Sequence, residues 1–244
     1  MIEFLNVSKS YGETKALRNL NLKILDGEIF GLIGHNGAGK STTIKSLVSI
    51  IEPSSGEILV DGRILNKNRL EIKREIGYVS DSPDLFLKTP VISYWDFIAD
   101  VYGVEEEVKK MRIHDLCQLL ALDENSGQTI EELSHGMRQK VFIIGALLSN
   151  PKTWVLDEPM TGLDPQAAFG LKELMKNHVK EGNTVLFSTH VLEVAESLCD
   201  RIGILSKGEL LFVGSMKELR ESYPGESLED IYLAMVGEKG KEEE

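Results

Sequence analysis

The sequence predicts an α/β fold with a mainly parallel sheet, an antiparallel β portion near the N-terminus and an inserted α-helical lobe. An apolar stretch over residues 28–33 runs into a glycine-rich loop and then into a helical pattern. After residue 150, strand patterns alternate with helical patterns, which is typical of a parallel sheet. Between these two regions, residues 90–150 carry apolar side chains at three- and four-residue spacing.

The first third of the chain is predicted to hold strands around a single helix. The predicted strands cover 2–7, 21–25, 28–33, 57–60, 63–65 and 76–80. A helix over 41–51 should end before Pro53. Asp61-Gly62 separates two of the strands, and this dipeptide is a strong hairpin signal.

The rest of the chain is predicted to be helical first and then alternating. The predicted elements are helices at 91–102, 105–122 and 135–148, a strand at 153–156, a helix at 165–181, a strand at 184–188, a helix at 191–198, and strands at 202–205 and 209–213 around Lys207-Gly208. The charged end after Gly237 should fray. The expected division is an α/β core at 1–89 and 151–215, a helical subdomain at 90–150 and a helical tail at 216–244.

Composition limits the classes of partner. The chain has 244 residues, of which 42% are hydrophobic, enough for a core with a lobe attached. Its formal net charge of -12 argues against nucleic acid or anionic lipid as the main partner. Cys117 and Cys199 lack metal-type spacing and are expected to be reduced, buried thiols of a cytoplasmic protein. Neither a signal peptide nor a run of ~20 apolar residues is recognisable, so any membrane role should come through a partner.

A phosphate-binding loop follows the strand at 28–33. Its residues match the pattern GxxxxGK[ST], and they are Gly34, His35, Asn36, Gly37, Ala38, Gly39, Lys40 and Ser41, with Thr42 following. The glycines let backbone N–H groups turn towards phosphates, and the helix that begins near Lys40 directs its positive end there. Lys40 is expected to reach the β- and γ-phosphates and Ser41 to ligate Mg²⁺. The loop alone does not separate an ATPase from a GTPase or a kinase.

Two carboxylates stand at the end of the apolar strand 153–156. Ligands of open α/β sheets collect at such carboxyl ends. Asp157 is therefore expected to hold Mg²⁺, and Glu158 to orient or deprotonate the attacking water. An exposed turn before Pro159 is the alternative interpretation for the pair taken alone.

The segment Leu133-Ser134-His135-Gly136-Met137, placed between the phosphate loop and the acidic pair, completes a set that resembles the ATP-binding subunit of an ABC transporter. The resemblance implies a P-loop NTPase core, ATP with Mg²⁺, and a dimer with a second copy or a paralogous subunit. It implies that the Ser134 hydroxyl and the Gly136 N–H contact the γ-phosphate of ATP held by the other subunit. Ser134 is also a good N-cap, which would explain its presence without a ligand. His135 and Met137 depart from the usual Leu-Ser-Gly-Gly-Gln.

Further positions match the family in order. Thr161 to Asp164 resembles the loop along the dimer seam, although Asp164 before Pro165 would also cap a helix. His190 matches the switch histidine that touches the γ-phosphate, and Tyr11 the aromatic that stacks on adenine. Asp81 stands where many relatives place a Gln that senses Mg²⁺ and water. A carboxylate could bind the metal there, but it adds negative charge beside the acidic pair.

The resemblance also implies a separate transmembrane permease as a partner and a position on the inner face of the cell membrane. Residues 83–97 supply apolar and aromatic anchors for a short helix of that permease, or simply pack the helical lobe; the anchors are Leu85, Phe86, Leu87, Tyr94 and Trp95. Asp81, the single cassette and the tail at 227–232 are most similar to subunits of ABC-2-type exporters. The alternatives are a soluble ABC-type ATPase that serves macromolecular assembly and a clamp that binds ATP without turnover.

Overall fold

The computed structural model describes residues 1–81, 86–123 and 127–242, with side chains described as far as residue 237. The strands are β1 (Ile2–Tyr11), β2 (Thr14–Ile24), β3 (Ile29–Ile33), β4 (Ser55–Val60), β5 (Arg63–Ile64), β6 (Ile76–Val79), β7 (Thr153–Leu156), β8 (Thr184–Thr189), β9 (Arg201–Ser206) and β10 (Glu209–Ser215). The helices are α1 (Lys40–Leu47), α2 (Arg69–Arg74), α3 (Val91–Tyr102), α4 (Glu106–Leu120), α5 (His135–Leu147), α6 (Pro165–Lys180), α7 (Leu192–Leu198), α8 (Met216–Ser222) and α9 (Leu228–Glu242). A short 3-10 turn covers Ile130–Glu132.

Two sheets confirm the predicted fold class. The larger has six strands in the order β10-β9-β3-β8-β7-β6. Its strands pair in parallel except at the β9–β10 hairpin, which is antiparallel. The smaller sheet, in the order β2-β1-β4-β5, is antiparallel throughout. Because β3, β6, β7 and β8 are parallel, their carboxyl ends meet at one edge, where the predicted site residues follow them.

The first two strands are longer than predicted. The pattern indicates strands at 2–7 and 21–25. In the structure, β1 continues to Tyr11 and β2 already begins at Thr14. Register shifts between Phe4 and Val7 and further along β1 break the alternation of buried and exposed side chains. The polar stretch that follows therefore lacks a strand pattern in the sequence, although it pairs with β2 as far as the turn at Gly12.

The helices differ from the predictions at the end of α1, at α2 and at the C-terminal tail. The helix predicted over 41–51 ends at Leu47, and Ser49 then takes a positive φ of 55°. Helix α2 is missing from the sequence-based prediction, because it has six residues and buries Ile72 alone, too few positions to show a helical period. The tail predicted to fray after Gly237 is helical as far as Glu242.

The two main hydrophobic clusters lie on opposite faces of the larger sheet. One joins side chains such as Leu156 and Phe187 to helices α3 to α6. The other joins Leu32 and Leu186 to the antiparallel sheet and α1. Because alternate residues of a strand point to opposite faces, the same strands supply both clusters. The described part of the chain contains no helix that is both long enough and apolar enough to cross a bilayer.

Candidate nucleotide-binding site

The phosphate loop begins where the fully buried strand β3 ends. Gly34 is packed so closely that a Cβ there would lie 2.5 Å from the Leu205 carbonyl oxygen. Gly39 has a φ of 113°, which L side chains rarely adopt, and forms the N-terminal boundary of α1. The Gly208 N–H donates to the Ala38 carbonyl at 2.9 Å, so the β9–β10 turn holds the loop from outside.

Lys40 extends back over the loop. Its Nζ donates to the Gly34 carbonyl at 2.6 Å and lies 3.2 Å from Glu158 Oε1. Only 5% of Lys40 is exposed. A cation held this firmly in a glycine-rich loop attracts anions such as phosphate.

A cavity of about 370 Å³ opens over the loop. It is lined by Ala16, His35, Asn36, Gly37, Gly39, Lys40, Ser41, Thr42, Asp81 and Glu158. The structure thus gathers most of the predicted phosphate-binding residues with two of the predicted acidic ones. Ala16, on β2, was missed because its sequence neighbourhood carries no motif.

Tyr11 stands apart from these lining residues. It ends β1 and is 49% exposed, with Lys9 Nζ 5.3 Å from its ring centroid. Tyr11 is not one of the described residues that line the cavity. Its predicted stacking on adenine stays a prediction.

Asp157 is buried completely at the end of β7. The Ser188 hydroxyl donates to its Oδ1 at 2.5 Å, whereas Oδ2 has no hydrogen-bond partner of ordinary geometry in the described chain. Burial raises the pKa of Asp157, and Asp81 adds to this, while the hydroxyls of Ser188 and Ser41 oppose it. A buried carboxylate oxygen without a donor is suited to a metal cation, which would replace the missing hydrogen bond.

Glu158 is held by contacts on three sides. Its φ of 49° is rare for a residue with a side chain, and its N–H donates to Ser188 Oγ at 2.9 Å. Its Oε2 lies 2.9 Å from His190 Nδ1 and its Oε1 faces Lys40. Ser188, which joins Glu158 to Asp157, was missed because a serine inside a strand pattern carries no signal of its own.

The segment from Ser134 to Gly136 lies elsewhere on the surface. Ser134 is exposed and caps α5, where its Oγ accepts the Met137 N–H at 3.3 Å. Asp164 caps α6 by accepting the Ala167 N–H at 3.0 Å. The described residues that line the phosphate-loop cavity do not include Ser134, Gly136 or Asp164. None of these three predicted ligands therefore lines the phosphate-loop cavity of its own chain.

A second, more apolar cavity of about 260 Å³ lies between the segment that follows α1, helices α2, α3 and α5, and strand β6. It is lined by Val48, Ile50, Lys73, Ile76, Gly77, Tyr78, Tyr94, Ile98, Tyr102, Gly145 and Ala146.

Of the predicted permease anchors, Tyr94 lines this apolar cavity, and Phe86 packs against Tyr94 with ring centroids 5.4 Å apart. Leu87 packs on the core, and Trp95 is fully buried and donates to the Val141 carbonyl, so Trp95 is a core residue. Leu85 lies outside the described residues.

The fold and the site together define a P-loop protein that binds a nucleoside triphosphate. A sequence profile described as ABC transporter matches residues 17–161. The linearmycin resistance ATP-binding protein LnrL of Bacillus subtilis (strain 168) is 32% identical over 98% of this chain and 76% of its own length. The chain belongs to the ABC transporter family, as an ATP-binding subunit with ATPase activity.

Solved structures agree with this membership. The structure of an ATP-binding subunit of an ABC transporter superposes with a TM-score of 0.89, at 32% identity, covering 96% of this chain and 99% of the other. A dimeric post-hydrolysis structure of an ATP-binding cassette bound to ADP and Pi has a TM-score of 0.79 at 29% identity, covering 88% of this chain and 99% of the other.

Proposed function

We propose that the chain hydrolyses ATP as one half of a dimer, and that this cycle drives a separate membrane permease of an export system. One observation carries the dimer: Ser134 is exposed at the tip of α5 and does not line the cavity over the phosphate loop of its own chain. A second copy or a paralogous subunit would bring its Ser134 and Gly136 to that cavity. The dimeric cassette solved with ADP and Pi supports the dimer. The name of one relative, a linearmycin resistance ATP-binding protein, supports a role in export.

The phosphate loop binds the triphosphate in this proposal. Backbone N–H groups of the loop donate hydrogen bonds to the phosphate oxygens, and the Lys40 ammonium neutralises part of their charge. Tyr11 stacks on the adenine ring, and Asp164 lies along the dimer seam. The exposed ring of Tyr11 is accessible for this contact.

Mg²⁺ would be held by the Ser41 hydroxyl and the carboxylates of Asp157 and Asp81. The Oδ2 of Asp157, buried without a hydrogen-bond partner of ordinary geometry, supports this assignment. When bound, the ion neutralises charge on the phosphates.

Glu158 accepts a proton from the attacking water, and His190 holds the Glu158 carboxylate in place. The 2.9 Å contact between His190 Nδ1 and Glu158 Oε2 supports this division of roles. His190 is half-exposed, with 52% of its side chain accessible, so it can also reach a γ-phosphate.

The variant Glu158→Gln tests the mechanism. We expect it to bind ATP and Mg²⁺ with affinity close to that of the parent, but to turn over at least ~100-fold more slowly, because a general base contributes about that much. ATP should then hold it as a dimer in size-exclusion chromatography with light scattering. Turnover near the parent rate, or a strict monomer with ATP, would reject the proposal.

Lys40→Ala tests the phosphate loop separately. Removal of the buried ammonium should abolish ATP binding in an equilibrium titration, whereas the exposed Lys67→Ala serves as the matched control and should bind normally. Undiminished affinity in Lys40→Ala would exclude the assigned role of the loop lysine. A steady-state ATPase assay of the parent distinguishes an ATPase from a clamp without turnover.

The permease partner is proposed from the apolar cavity beside Tyr94 and from family membership. A short amphipathic helix of the permease would occupy it, which would place this chain at the inner face of the membrane. The alternative, a soluble ABC-type ATPase in macromolecular assembly, has no such helix to bind. Affinity purification from detergent-solubilised membranes distinguishes the two: recovery of a multi-span membrane protein with the parent, and its loss in Ile98→Glu, supports the permease.

A further inference from the structure

A buried lysine connects two surface segments that the proposed dimer needs. Lys140 lies on α5 and is only 5% exposed. Its Nζ is 2.6 Å from Asp164 Oδ2 and donates to the Ala121 carbonyl at 3.2 Å. A buried ammonium is costly unless it is paired and hydrogen-bonded, so these two contacts account for its presence in the interior.

Asp164 divides its two carboxylate oxygens between two helices. Oδ1 accepts the Ala167 N–H at 3.0 Å and so caps α6, while Oδ2 accepts from Lys140 on α5. The Lys140 ammonium first, and the Ala167 N–H second, hold the pKa of the Asp164 carboxyl below its usual range. The loop that ends at Asp164 is therefore fixed to α5 as well as to its own helix.

The same two segments also touch through their backbones, at the tip of α5. A Cβ on Gly136 would lie 2.2 Å from the Gly162 carbonyl oxygen, and a Cβ on Gly162 would lie 2.5 Å from the ring of His135. Gly136 and Lys140 are four residues apart and hence lie on one face of α5. The backbone contact and the ion pair thus hold the two segments together at two points, one helical turn apart.

We propose that Lys140 is a positioning residue, which through Asp164 fixes the Ser134 tip relative to the loop Thr161 to Asp164, so that both segments meet the second copy as one rigid surface. This inference rests on the proposed function, because it requires an ATP-bound dimer. Lys140 itself is buried beneath that surface and makes no contact with nucleotide. Its loss should therefore affect association of the two copies and leave ATP binding to one chain unchanged.

The test compares variants at position 140 in the Glu158→Gln background, where ATP holds the dimer. Lys140→Met removes the charge at similar length, and Lys140→Arg keeps the charge as the conservative rescue. Two quantities are measured: ATP affinity at concentrations where the chains are monomeric, and the dissociation constant of the ATP-bound dimer by sedimentation equilibrium. Far-UV circular dichroism and thermal unfolding report on the fold of each variant.

We expect ATP affinity of the monomer to change less than about twofold in both variants. Lys140→Met should weaken the dimer at least ~10-fold, because a hydrogen bond to a charged group is worth one to two powers of ten in an equilibrium constant. Lys140→Arg should restore most of that loss. Asp164 retains water contact, with 48% of its side chain exposed, so Lys140→Met does not leave a buried carboxylate unpaired.

A double-mutant cycle separates this role from general stability. If the pair acts as a unit, Lys140→Met should weaken the dimer strongly when Asp164 is present and little when it is replaced by Asn, which can still cap α6. Lys140→Gln, which keeps a donor towards Ala121 without the charge, is the second variant if Lys140→Met does not fold.

The outcomes distinguish the inference from the function on which it rests. A Glu158→Gln parent that stays monomeric with ATP would overturn the proposed dimer itself. A parent that dimerises, with a Lys140→Met or Lys140→Gln variant that dimerises equally well, would overturn the positioning role alone. Equal loss of ATP affinity and dimerisation would likewise overturn it, because the lysine would then act on the nucleotide site of its own chain.

Discussion

At the scale of single residues, Ser188 shows how one side chain organises the acidic end of β7. Its hydroxyl accepts the Glu158 N–H and donates to Asp157, so the two residues share one anchor on β8. The motif Asp157-Glu158 predicted both carboxylates from the sequence. Their anchor could not be predicted, because a serine 30 residues away becomes a neighbour only when β7 and β8 pair.

A residue-scale prediction concerns Gly136→Ala. The new Cβ would meet the Gly162 carbonyl oxygen at 2.2 Å, and a backbone oxygen cannot rotate away. We expect the free energy of unfolding to fall by about 1–2 kcal/mol, since overpacking costs roughly 1–3 kcal/mol and replacing a helical glycine by alanine returns up to ~1 kcal/mol. Denaturant unfolding measures the change.

Gly127→Ala is the matched control for this substitution. A Cβ at Gly127 would meet no described atom within 4 Å, so stability should stay within about 0.5 kcal/mol of the parent. Equal stability of the two variants would mean that the segment at Gly162 yields freely, contrary to the close packing.

At the scale of elements, α6 is fixed to the sheet by an aromatic stack. His178 of α6 lies against Trp154 of β7 with ring centroids 4.0 Å apart and an interplanar angle of 19°. His178 is 4% exposed, and its Nε2 has no hydrogen-bond partner among the described residues. Burial therefore lowers the pKa of His178 to about 4, and the Lys152 backbone opposes this only in part.

This stack predicts an acid-sensitive stability. The pKa of His178 is lower in the folded chain than its unfolded value of 6.5, so its contribution is complete above about pH 6.5 and is lost as the pH falls towards 4. Between pH 7.5 and pH 5 the loss should be about 2 kcal/mol. Denaturant unfolding at both values, followed by tryptophan fluorescence, measures it.

His178→Gln should lose this part of the pH dependence, while His114→Gln, at an exposed position on α4, should keep it. The two substitutions remove the same titratable group, so the difference between their slopes isolates the buried ring. The same slope in His178→Gln as in the parent would show that His178 becomes protonated without penalty, against the predicted effect.

At the scale of the whole molecule, the C-terminal helix reaches the nucleotide site. Leu228 and Ile231 of α9 are buried in a third cluster with Ile33 and residues of β9 and α7. Beside them, the Tyr232 hydroxyl accepts the His35 N–H at 2.8 Å. The two ends of this hydrogen bond are 197 residues apart, and it ties the tail to the phosphate loop.

Tyr232→Phe should lower the free energy of unfolding by about 1 kcal/mol, because the ring is kept and the His35 N–H loses its acceptor. Chemical unfolding measures the change. Tyr223→Phe is the matched control, since the described residues offer no hydrogen-bond partner for the Tyr223 hydroxyl, and its stability should equal that of the parent. An unchanged midpoint in Tyr232→Phe would show that solvent replaces the tyrosine at no cost.

The amino-acid sequence was enough to predict the fold class, the phosphate loop, the acidic strand end and the bounds of α3. These features depend on local spacing, because a glycine pattern or an apolar period constrains the local backbone conformation independently of tertiary contacts. It did not determine the full length of β1, whose bulges disturb the alternation.

The contacts between side chains that are distant in sequence became known from the three-dimensional fold. It paired Lys140 with Asp164, stacked His178 on Trp154 and brought Tyr232 to the phosphate loop. It also placed Trp95 in the core, where the sequence equally allowed a partner-binding residue. Such contacts arise from the order of strands and the packing of helices on them, which bring together residues that no local pattern relates.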